Sequence, residues 1–407
     1  MAPQAPVLRI SIGGTAPSAF DAFPLVDARW DDALEAIANV APAAVIAFDP
    51  REAGSRLLDL AARLAASELY TPLITVNPTS EMLAGGLPFR APQGDLSRLQ
   101  ARLNAALRVR TLHATVLRRS AEAGATQAIP AGDPLSDACV LLLGRGASFP
   151  ALSIAFGERL GVVGGFSIEA AAKHLNSRDF DGIVIGDGFS PRVVDAFLTV
   201  LAEDARFRGL PVFTVGAAAA LAAPEALANF ESAPLQASDV AMLALPLIRQ
   251  HAFKTRLERA LQSLDAGGAL DARSGLLTPA AFQREFAAAT SEALARGTGL
   301  SAARFVLEPA HDRIRHDAAR ILSRLMRKVD FATLDDDGSI LAVLADTDLR
   351  AAHGIVRRLA SVLRHTPHGQ GRDKRVDPAV TLATLLPNDT AASMLARLMR
   401  NRQRAAS

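Results

Sequence analysis

Short apolar runs alternate with helical stretches along the first third of the chain. The runs are bounded by turn residues, and the stretches between them are rich in Ala, Leu and Arg. Buried parallel strands have continuous apolar sequences and are joined by helices. The predicted strands cover residues 7–12, 23–26, 44–48, 73–76 and 87–89, and a long helix runs from Asp95 towards Arg119. The pattern predicts βα units that build a parallel sheet.

The same succession occurs a second time. Its predicted strands cover residues 140–143, 160–163, 182–185, 212–215 and a short segment near Phe230, followed by a helix from Ala237 towards Leu264. Both copies end the fifth strand in Ala-Pro and continue into an Arg-rich amphipathic helix. The chain therefore contains an internal repeat, and residues 121–137, rich in Ala, Gly and Pro, predict a linker between the copies. A third unit begins at Asp271.

Composition limits the class of protein. A chain of 407 residues with 50% hydrophobic residues has room for about two to four packed domains. The formal net charge is only +2, so the charge balance does not predict a nucleic-acid partner. The single cysteine, Cys139, lies in an apolar run and predicts a buried side chain without a disulfide. No apolar stretch approaches the roughly 20 residues of a membrane span, so we expect a soluble cytoplasmic protein.

A four-residue motif in the third unit carries the most specific information. Arg327-Lys328-Val329-Asp330 stands five residues ahead of Asp336-Asp337-Gly338-Ser339-Ile340, and an apolar strand, 341–344, follows. This arrangement resembles the GGDEF domain of diguanylate cyclases, which join two GTP molecules into cyclic di-GMP. In that family an R-x-x-D sequence at this distance forms an allosteric product site. The resemblance implies that Arg327 and Asp330 bind cyclic di-GMP, with Arg357 or Arg358 as a weaker addition.

The chemistry of the pair suits a guanine base. Guanine offers O6 and N7 to a guanidinium and N1–H and N2–H₂ to a carboxylate, and residues at i and i+3 share one face of a helix. A purely structural interpretation stays open. Asp330 occupies a turn position that is frequent in the family for structural reasons, and Arg327 belongs to a helix rich in arginines, where it would be simple solvated surface.

The catalytic parts of the resemblance are degraded. Of the family's opening motif, the sequence keeps Asp271, Gly275, Leu276 and Phe282. The metal-binding aspartate is replaced by Glu308, and the interval from there to Asp330 is too short to contain the family's guanine pocket. In the signature turn, the two glycines are Asp336 and Asp337, and the acidic pair is Gly338 and Ser339. Three carboxylates, 335–337, would repel a triphosphate, so we expect no cyclase activity and no metal site.

The two repeats resemble response-regulator receiver domains, which have a flavodoxin-like parallel sheet. Two receivers before a GGDEF domain is the architecture of PleD-type regulators. The resemblance implies three α/β domains: degenerate receiver 1 at 1–120, degenerate receiver 2 at 137–262, and a degenerate GGDEF-like, nucleotidyl-cyclase-type domain at 266–407.

Receiver chemistry is missing from both copies. The family holds Mg²⁺ with acidic residues at the end of strand one. The corresponding positions here are Ser11-Ile12 and Gly144-Arg145. The strand-three phosphoacceptor has only vestigial candidates, Asp49 and Asp187. Other positions also depart from the family: Asn77 and Gly216 replace a hydroxyl residue, and Ala91 and Ala233 replace a lysine. We therefore expect pseudoreceivers that keep a docking face around strands four and five.

Together these features predict a non-enzymatic protein of two-component signalling. In the leading hypothesis it is a cyclic di-GMP effector that docks signalling proteins through its receiver-like surfaces and pairs into a dimer. The alternatives are a ligand-free pseudoreceiver scaffold and a residual diguanylate cyclase. His311, Asp312, His316 and Asp317 have metal-like composition, but no second cluster completes a site, so they predict a surface helix start.

Overall fold

The computed structural model of this chain describes most of its residues. The described ranges are 5–13, 23–48, 50–79, 86–91, 94–123, 129–216, 224–232, 236–296, 298–308, 311–327, 329–366 and 376–400. Contacts divide the chain into two compact units. Unit 1 comprises Met1–Glu122, Asp133–Ala172 and Phe180–Leu257, and unit 2 comprises Ala123–Gly132, Lys173–Asp179 and Glu258–Ser407. The boundaries of three separate domains stay a prediction.

The first sheet of unit 1 is parallel, as the apolar runs predict. Its strands are β1 (Val7–Ser11), β2 (Leu25–Arg29), β3 (Ala44–Ala47), β4 (Leu73–Val76) and β5 (Leu87–Phe89), in the order β2-β1-β3-β4-β5. Its helices are α1 (Ala33–Val40), α2 (Arg56–Ala65) and α3 (Leu99–Glu122). The last helix begins four residues later than predicted, after a turn in which the Asp95 carboxylate accepts the Ser97 N–H at 2.9 Å.

The second sheet of unit 1 has the same strand order, as an internal repeat predicts. Its strands are β6 (Cys139–Leu143), β7 (Gly161–Gly165), β8 (Gly182–Ile185), β9 (Val212–Thr214) and β10 (Phe230–Ser232), in the order β10-β9-β8-β6-β7 and all parallel. Its helices are α4 (Ser148–Gly157), α5 (Ile168–Ser177), α6 (Pro191–Glu203) and α7 (Ala237–Asp265). Cys139 is buried in β6, as predicted.

The two repeats share one apolar core inside unit 1. This core joins Phe89 of β5 and Leu103 of α3 to Leu243 and Leu247 of α7. The face around β4 and β5 was predicted to dock other proteins. Part of it is instead covered by the second repeat, because Arg102 of α3 donates to the Ala228 carbonyl at 2.9 Å and forms a buried ion pair with Glu231 of β10.

Unit 2 is built on a four-stranded antiparallel sheet. Its elements are α8 (Pro279–Arg296), β11 (Leu300–Glu308), α9 (Asp312–Leu325), β12 (Phe331–Leu334), β13 (Ile340–Ala345), α10 (Leu349–His365), β14 (Asp377–Thr384) and α11 (Ala391–Arg400), with strand order β12-β13-β11-β14. Apolar clusters cover both faces of this sheet. Within the described ranges of both units, no helix is at once long and apolar enough to cross a membrane.

Candidate functional site

Arg327 and Asp330 meet in the connection between α9 and β12. The helix ends at Leu325, because Met326 has an extended backbone with ψ 154°. The prediction that the two residues share a helical face was therefore wrong. A turn brings them together instead, and in it the Asp330 N–H donates to the Arg327 carbonyl at 3.0 Å. The role of the two residues in ligand binding stays a prediction.

The pair is a two-pronged ion pair. Arg327 donates from Nε to Oδ2 of Asp330 at 3.1 Å and from Nη2 to Oδ1 at 2.9 Å. Two backbone N–H groups also donate to the carboxylate of Asp330. The N–H of Ala345 donates to Oδ1 at 3.2 Å, and the N–H of Arg327 donates to Oδ2 at 3.3 Å. The Asp330 side chain is only 2% exposed. All four favourable acceptor positions of this carboxylate are thus occupied.

The outer half of Arg327 stays accessible. Its Nη2 also donates to the Ala345 carbonyl at 3.0 Å and to Oγ1 of Thr347 at 2.8 Å, while the side chain is 47% exposed. Its Nη1 has no acceptor within the described part of the chain, which leaves two N–H donors directed away from these partners. The hydrogen bond to Asp330 raises the pKa of Arg327, so the guanidinium is charged at any physiological pH.

A cavity of about 580 Å³ adjoins the buried side of the pair. Besides Asp330, its charged lining consists of Arg284, Glu285 and Glu292 of α8 and Asp346 after β13. Carboxylates outnumber the single cation, so the cavity is unfavourable for a phosphate.

No contact within the described ranges joins Arg358 to Arg327 or Asp330. It lies on α10, nine residues after Leu349, which is about 13 Å along the helix. The side chain is exposed and has no ion-pair partner in the described ranges. The third ligand-binding residue implied by the family resemblance therefore stays a prediction.

The signature turn is a closed five-residue loop between β12 and β13. Asp335 donates from its N–H to the Ser339 carbonyl at 2.8 Å, and Gly338 donates to the Asp335 carbonyl at 2.8 Å. Gly338 has φ +78°, a conformation that favours glycine. The first residue of the signature's acidic pair is thus replaced by a glycine whose backbone conformation makes the turn.

Arg304 of β11 holds this turn shut. It donates from Nε to Oγ of Ser339 at 3.0 Å and forms an ion pair with Asp337, while its own side chain is 4% exposed. Ser339 donates to Oδ1 of Asp337 from N at 2.9 Å and from Oγ at 2.6 Å. Burial alone would raise the pKa of Asp337, but the hydrogen bonds from Ser339 and Arg304 outweigh it and hold the pKa below its ordinary value.

Arg315 of α9 occupies the space directly over Gly338. A Cβ atom at Gly338 would lie 2.4 Å from Nε of Arg315, so the arginine is in contact with the glycine backbone. Two arginines therefore accompany the three carboxylates of this turn: Arg304 forms an ion pair with Asp337, and Arg315 covers Gly338. Sequence reasoning missed both arginines; an arginine inside the apolar run of β11 was the available signal.

Glu308, which stands where the family resemblance places a metal-binding aspartate, lies at the end of a strand. Glu308 is the last residue of β11 and pairs with Asp377 of β14, while its side chain and Pro309 lie outside what the structure describes. Within the described ranges, no group of three or more His, Cys, Asp or Glu side chains could hold a metal ion.

The metal-like cluster at the start of α9 is partly buried. His316 and Asp317 are 6% and 8% exposed, so the prediction of a surface helix start was wrong for these two. Asp317 accepts a hydrogen bond at 2.6 Å from Arg178, which belongs to the 173–179 segment of unit 2. Nδ1 of His316 lies 2.7 Å from the Asp312 carbonyl oxygen. Burial is tolerated because each polar group has a partner.

The structure describes some of the positions that the receiver resemblance singles out. Asp187 lies after β8, where its carboxylate accepts a hydrogen bond from Ser148 and contacts Gly146. Gly216 has φ +71°. Asn77 and Ala91 face each other, with the Ala91 N–H donating to Oδ1 of Asn77 at 2.8 Å. Two predicted positions, Asp49 and Ala233, lie outside the described residues.

Comparison with known proteins gives matches only among solved structures. No family model matches the chain, and no curated protein matches it. The coiled coil and GGDEF domain of DgcB from Caulobacter crescentus, in complex with c-di-GMP, is 16% identical, with a TM-score of 0.31; the match covers 36% of this chain and 84% of that one. A sensory box/GGDEF family protein from the same organism is 22% identical, covers 34% and 99%, and has a TM-score of 0.29.

A third structure is the FimX GGDEF domain from Pseudomonas aeruginosa. It is 16% identical, covers 32% of this chain and 90% of that one, and has a TM-score of 0.28. Likenesses of this size carry no argument about ligand or activity. The solved structures to which about a third of this chain is similar are GGDEF domains.

Proposed function

We propose that this protein is a non-catalytic cyclic di-GMP effector that binds the nucleotide at Arg327 and Asp330. The observation that carries the proposal is the exposed half of the Arg327 guanidinium, whose Nη1 is unused, beside a carboxylate of the right chemistry. O6 and N7 of a guanine can accept from Nη1, and a nearby phosphate gains from the fixed positive charge.

Full recognition of guanine requires the ion pair to open partly. Because its four acceptor positions are occupied, the carboxylate of Asp330 can accept N1–H or N2–H₂ only if Arg327 releases one side-chain hydrogen bond for each guanine donor that is accepted. A hydrogen bond to a charged group is worth about 1.5–3 kcal/mol, whereas micromolar binding corresponds to about 8 kcal/mol. Opening would therefore weaken binding about ten- to hundredfold without preventing it. The ligand would select a minor arrangement of the pair.

Absence of catalysis is the second part of the proposal. Two arginines support it: Arg304 ties Asp337 and Ser339 together, and Arg315 covers Gly338. A cyclase must admit a triphosphate to this turn and activate the attacking hydroxyl with metal. We expect purified protein to form no cyclic di-GMP from GTP.

A ligand-free scaffold is the second candidate. The saturation of Asp330 favours it, because a carboxylate that accepts four hydrogen bonds and is 2% exposed already has a structural role. In this alternative, Arg327 and Asp330 only fasten the start of β12 to the end of β13, and the function lies in protein contacts.

Calorimetric titration with cyclic di-GMP distinguishes the candidates. We expect saturable, micromolar or tighter binding that Arg327→Ala abolishes. Arg400→Ala is the matched control, because Arg400 is an exposed arginine at the end of α11, outside the cavity. Arg358→Ala tests the third residue in the same series.

Three other outcomes of these measurements would contradict parts of the proposal. No heat and no thermal stabilisation of wild type would contradict the effector and leave the scaffold. Binding that Arg327→Ala leaves unchanged would contradict the proposed site. Turnover of GTP would contradict the non-catalytic assignment in either candidate.

A further inference from the structure

The carboxyl ends of four parallel strands in the first repeat open into a cleft of about 590 Å³. The chain order reverses on the two sides of β1 in this sheet, and open α/β sheets bind ligands at such points, outside the carboxyl ends of the strands. The lining residues that matter here are Ile12 after β1, Phe48 and Arg51 after β3, Asn77 after β4, and Arg90 and Ala91 after β5. All of them belong to unit 1.

The charge of this cleft is the opposite of what receiver chemistry needs. Arg51 and Arg90 are the charged members of its described lining, and both are exposed. Arg51 has no partner in the described ranges. Among the described residues, Arg90 donates only to the Ser232 carbonyl, from Nη1 at 3.2 Å, so its Nε and Nη2 can serve a ligand.

Asn77 adds a third donor in a fixed orientation. Its φ of +50° is a left-handed conformation, which asparagine tolerates better than most residues. The backbone N–H donates to the Phe89 carbonyl at 2.8 Å, and the side-chain Oδ1 accepts from Ala91 at 2.8 Å. Because Oδ1 is held by this bond, the Nδ2 amide remains a donor without an acceptor in the described ranges. Two guanidinium groups and one amide therefore line one cleft.

We propose that this cleft binds a phosphate-bearing small molecule without forming a covalent bond to the protein. Guanidinium and amide N–H groups donate to phosphate oxygens, and arginine does so with two parallel bonds. A volume of about 590 Å³ is larger than phosphate needs and falls within the range of small-molecule sites, so a mononucleotide fits. The site differs from Arg327 and Asp330, which lie in unit 2.

The test is a titration of the full chain carrying Arg327→Ala, which removes the proposed site of unit 2. The probes are GMP, inorganic phosphate and guanosine. We expect saturable binding of GMP, weaker binding of phosphate, and none of guanosine. Arg51→Ala/Arg90→Ala should weaken GMP binding about tenfold or more, because charge-assisted hydrogen bonds are lost. Arg63→Ala, an exposed arginine on α2 outside the lining, should leave it unchanged.

Several results would overturn the proposal. These are an absence of GMP binding at millimolar concentration, equal binding by the double variant, equal loss in Arg63→Ala, or equal binding of guanosine and GMP. A mass increase of the protein after incubation with acetyl phosphate, lost in Asp49→Asn, would also overturn it, since a phosphoacceptor would then be at work. Thermal unfolding of each variant is recorded alongside, and the single variants replace the double if it unfolds.

Discussion

Arg102 and Glu231 form an ion pair that is buried inside unit 1 and joins its two repeats. Nη2 of Arg102, on α3, lies 2.8 Å from Oε1 of Glu231, in β10, and the side chains are 0% and 3% exposed. Arg102 also donates from Nε to the Ala228 carbonyl at 2.9 Å and from Nη1 to the Pro88 carbonyl. One side chain thus binds backbone at the edges of both parallel sheets.

Burial dominates the electrostatics of this pair. Desolvation raises the pKa of Glu231, although Arg102 and Arg98 oppose it, and desolvation lowers the pKa of Arg102. The attraction between the two charges therefore offsets only part of the loss of hydration. Removing one partner should be much worse than removing both, since an unpaired charge would be left in the core.

We expect Arg102→Met to lower the free energy of unfolding of unit 1 by about 3–5 kcal/mol. The double variant Arg102→Met/Glu231→Leu should recover most of this loss, because no charge is then buried. Chemical denaturation measures both. The control is Arg206→Ala, whose pair with Asp204 is 53% and 30% exposed and worth at most about 1 kcal/mol. A stability of Arg102→Met within about 1 kcal/mol of wild type would contradict the prediction.

The strands were predictable where they are continuous apolar runs. The bounds of β4, β5 and β8 agree with the sequence prediction, since these strands are buried on both faces. The second strand was placed too early. It begins at Leu25 and continues through Asp27, which forms an ion pair at 2.7 Å with Arg9 of β1. The apolar run ends at Val26, whereas the strand continues through the polar residues Asp27 and Arg29, so the run alone misplaces its bounds.

The candidate site was also only partly predictable from the sequence. Sequence spacing identified Arg327 and Asp330, but it could not show that Asp330 accepts hydrogen bonds from the backbone at the end of β13. Nor could it show that Arg304 reaches Asp337, because the two residues are 33 positions apart in the chain. Contacts between distant residues depend on the register of β11 and β13, which only the folded sheet determines.

The closed signature turn should make stability depend on pH through Asp337. The pKa of this carboxyl is lowered in the folded state, so its contribution is fully present above the unfolded value of about 3.9. The contribution is lost as the pH falls through the folded-state pKa. We expect Asp337→Asn to destabilise the protein by at most about 1 kcal/mol at pH ~7, because the side chain is 46% exposed, and by less at pH ~3.

Urea unfolding of the wild type and of Asp337→Asn at the two pH values measures this difference in stability. Asp336→Asn is the matched control, because the neighbouring Asp336 side chain has no partner in the described part of the turn. A difference between wild type and Asp337→Asn that is the same at both pH values would show that the carboxylate charge is not involved.

Gly146 should be sensitive to the smallest substitution. A Cβ atom there would lie 2.2 Å from Cγ of Asp187, so Gly146→Ala forces the carboxylate or the loop to move. Overpacking of this kind costs about 1–3 kcal/mol. Adding Asp187→Ala should remove most of the penalty, and a double-mutant cycle from thermal unfolding measures the coupling. Gly157→Ala is the control, since nothing lies within 4 Å of its Cβ position. A fully stable Gly146→Ala would refute the contact.

Arg327 and Asp330 should differ in what they contribute to stability. Asp330→Ala leaves the Ala345 N–H without its acceptor and Arg327 without its carboxylate, which should cost about 1–3 kcal/mol. Arg327→Ala should cost about 1 kcal/mol, because its side chain is 47% exposed and water can replace it beside Asp330. Chemical denaturation of the two variants tests this order. If it is reversed, the guanidinium is the structural element, and loss of nucleotide binding in Arg327→Ala would no longer separate recognition from folding.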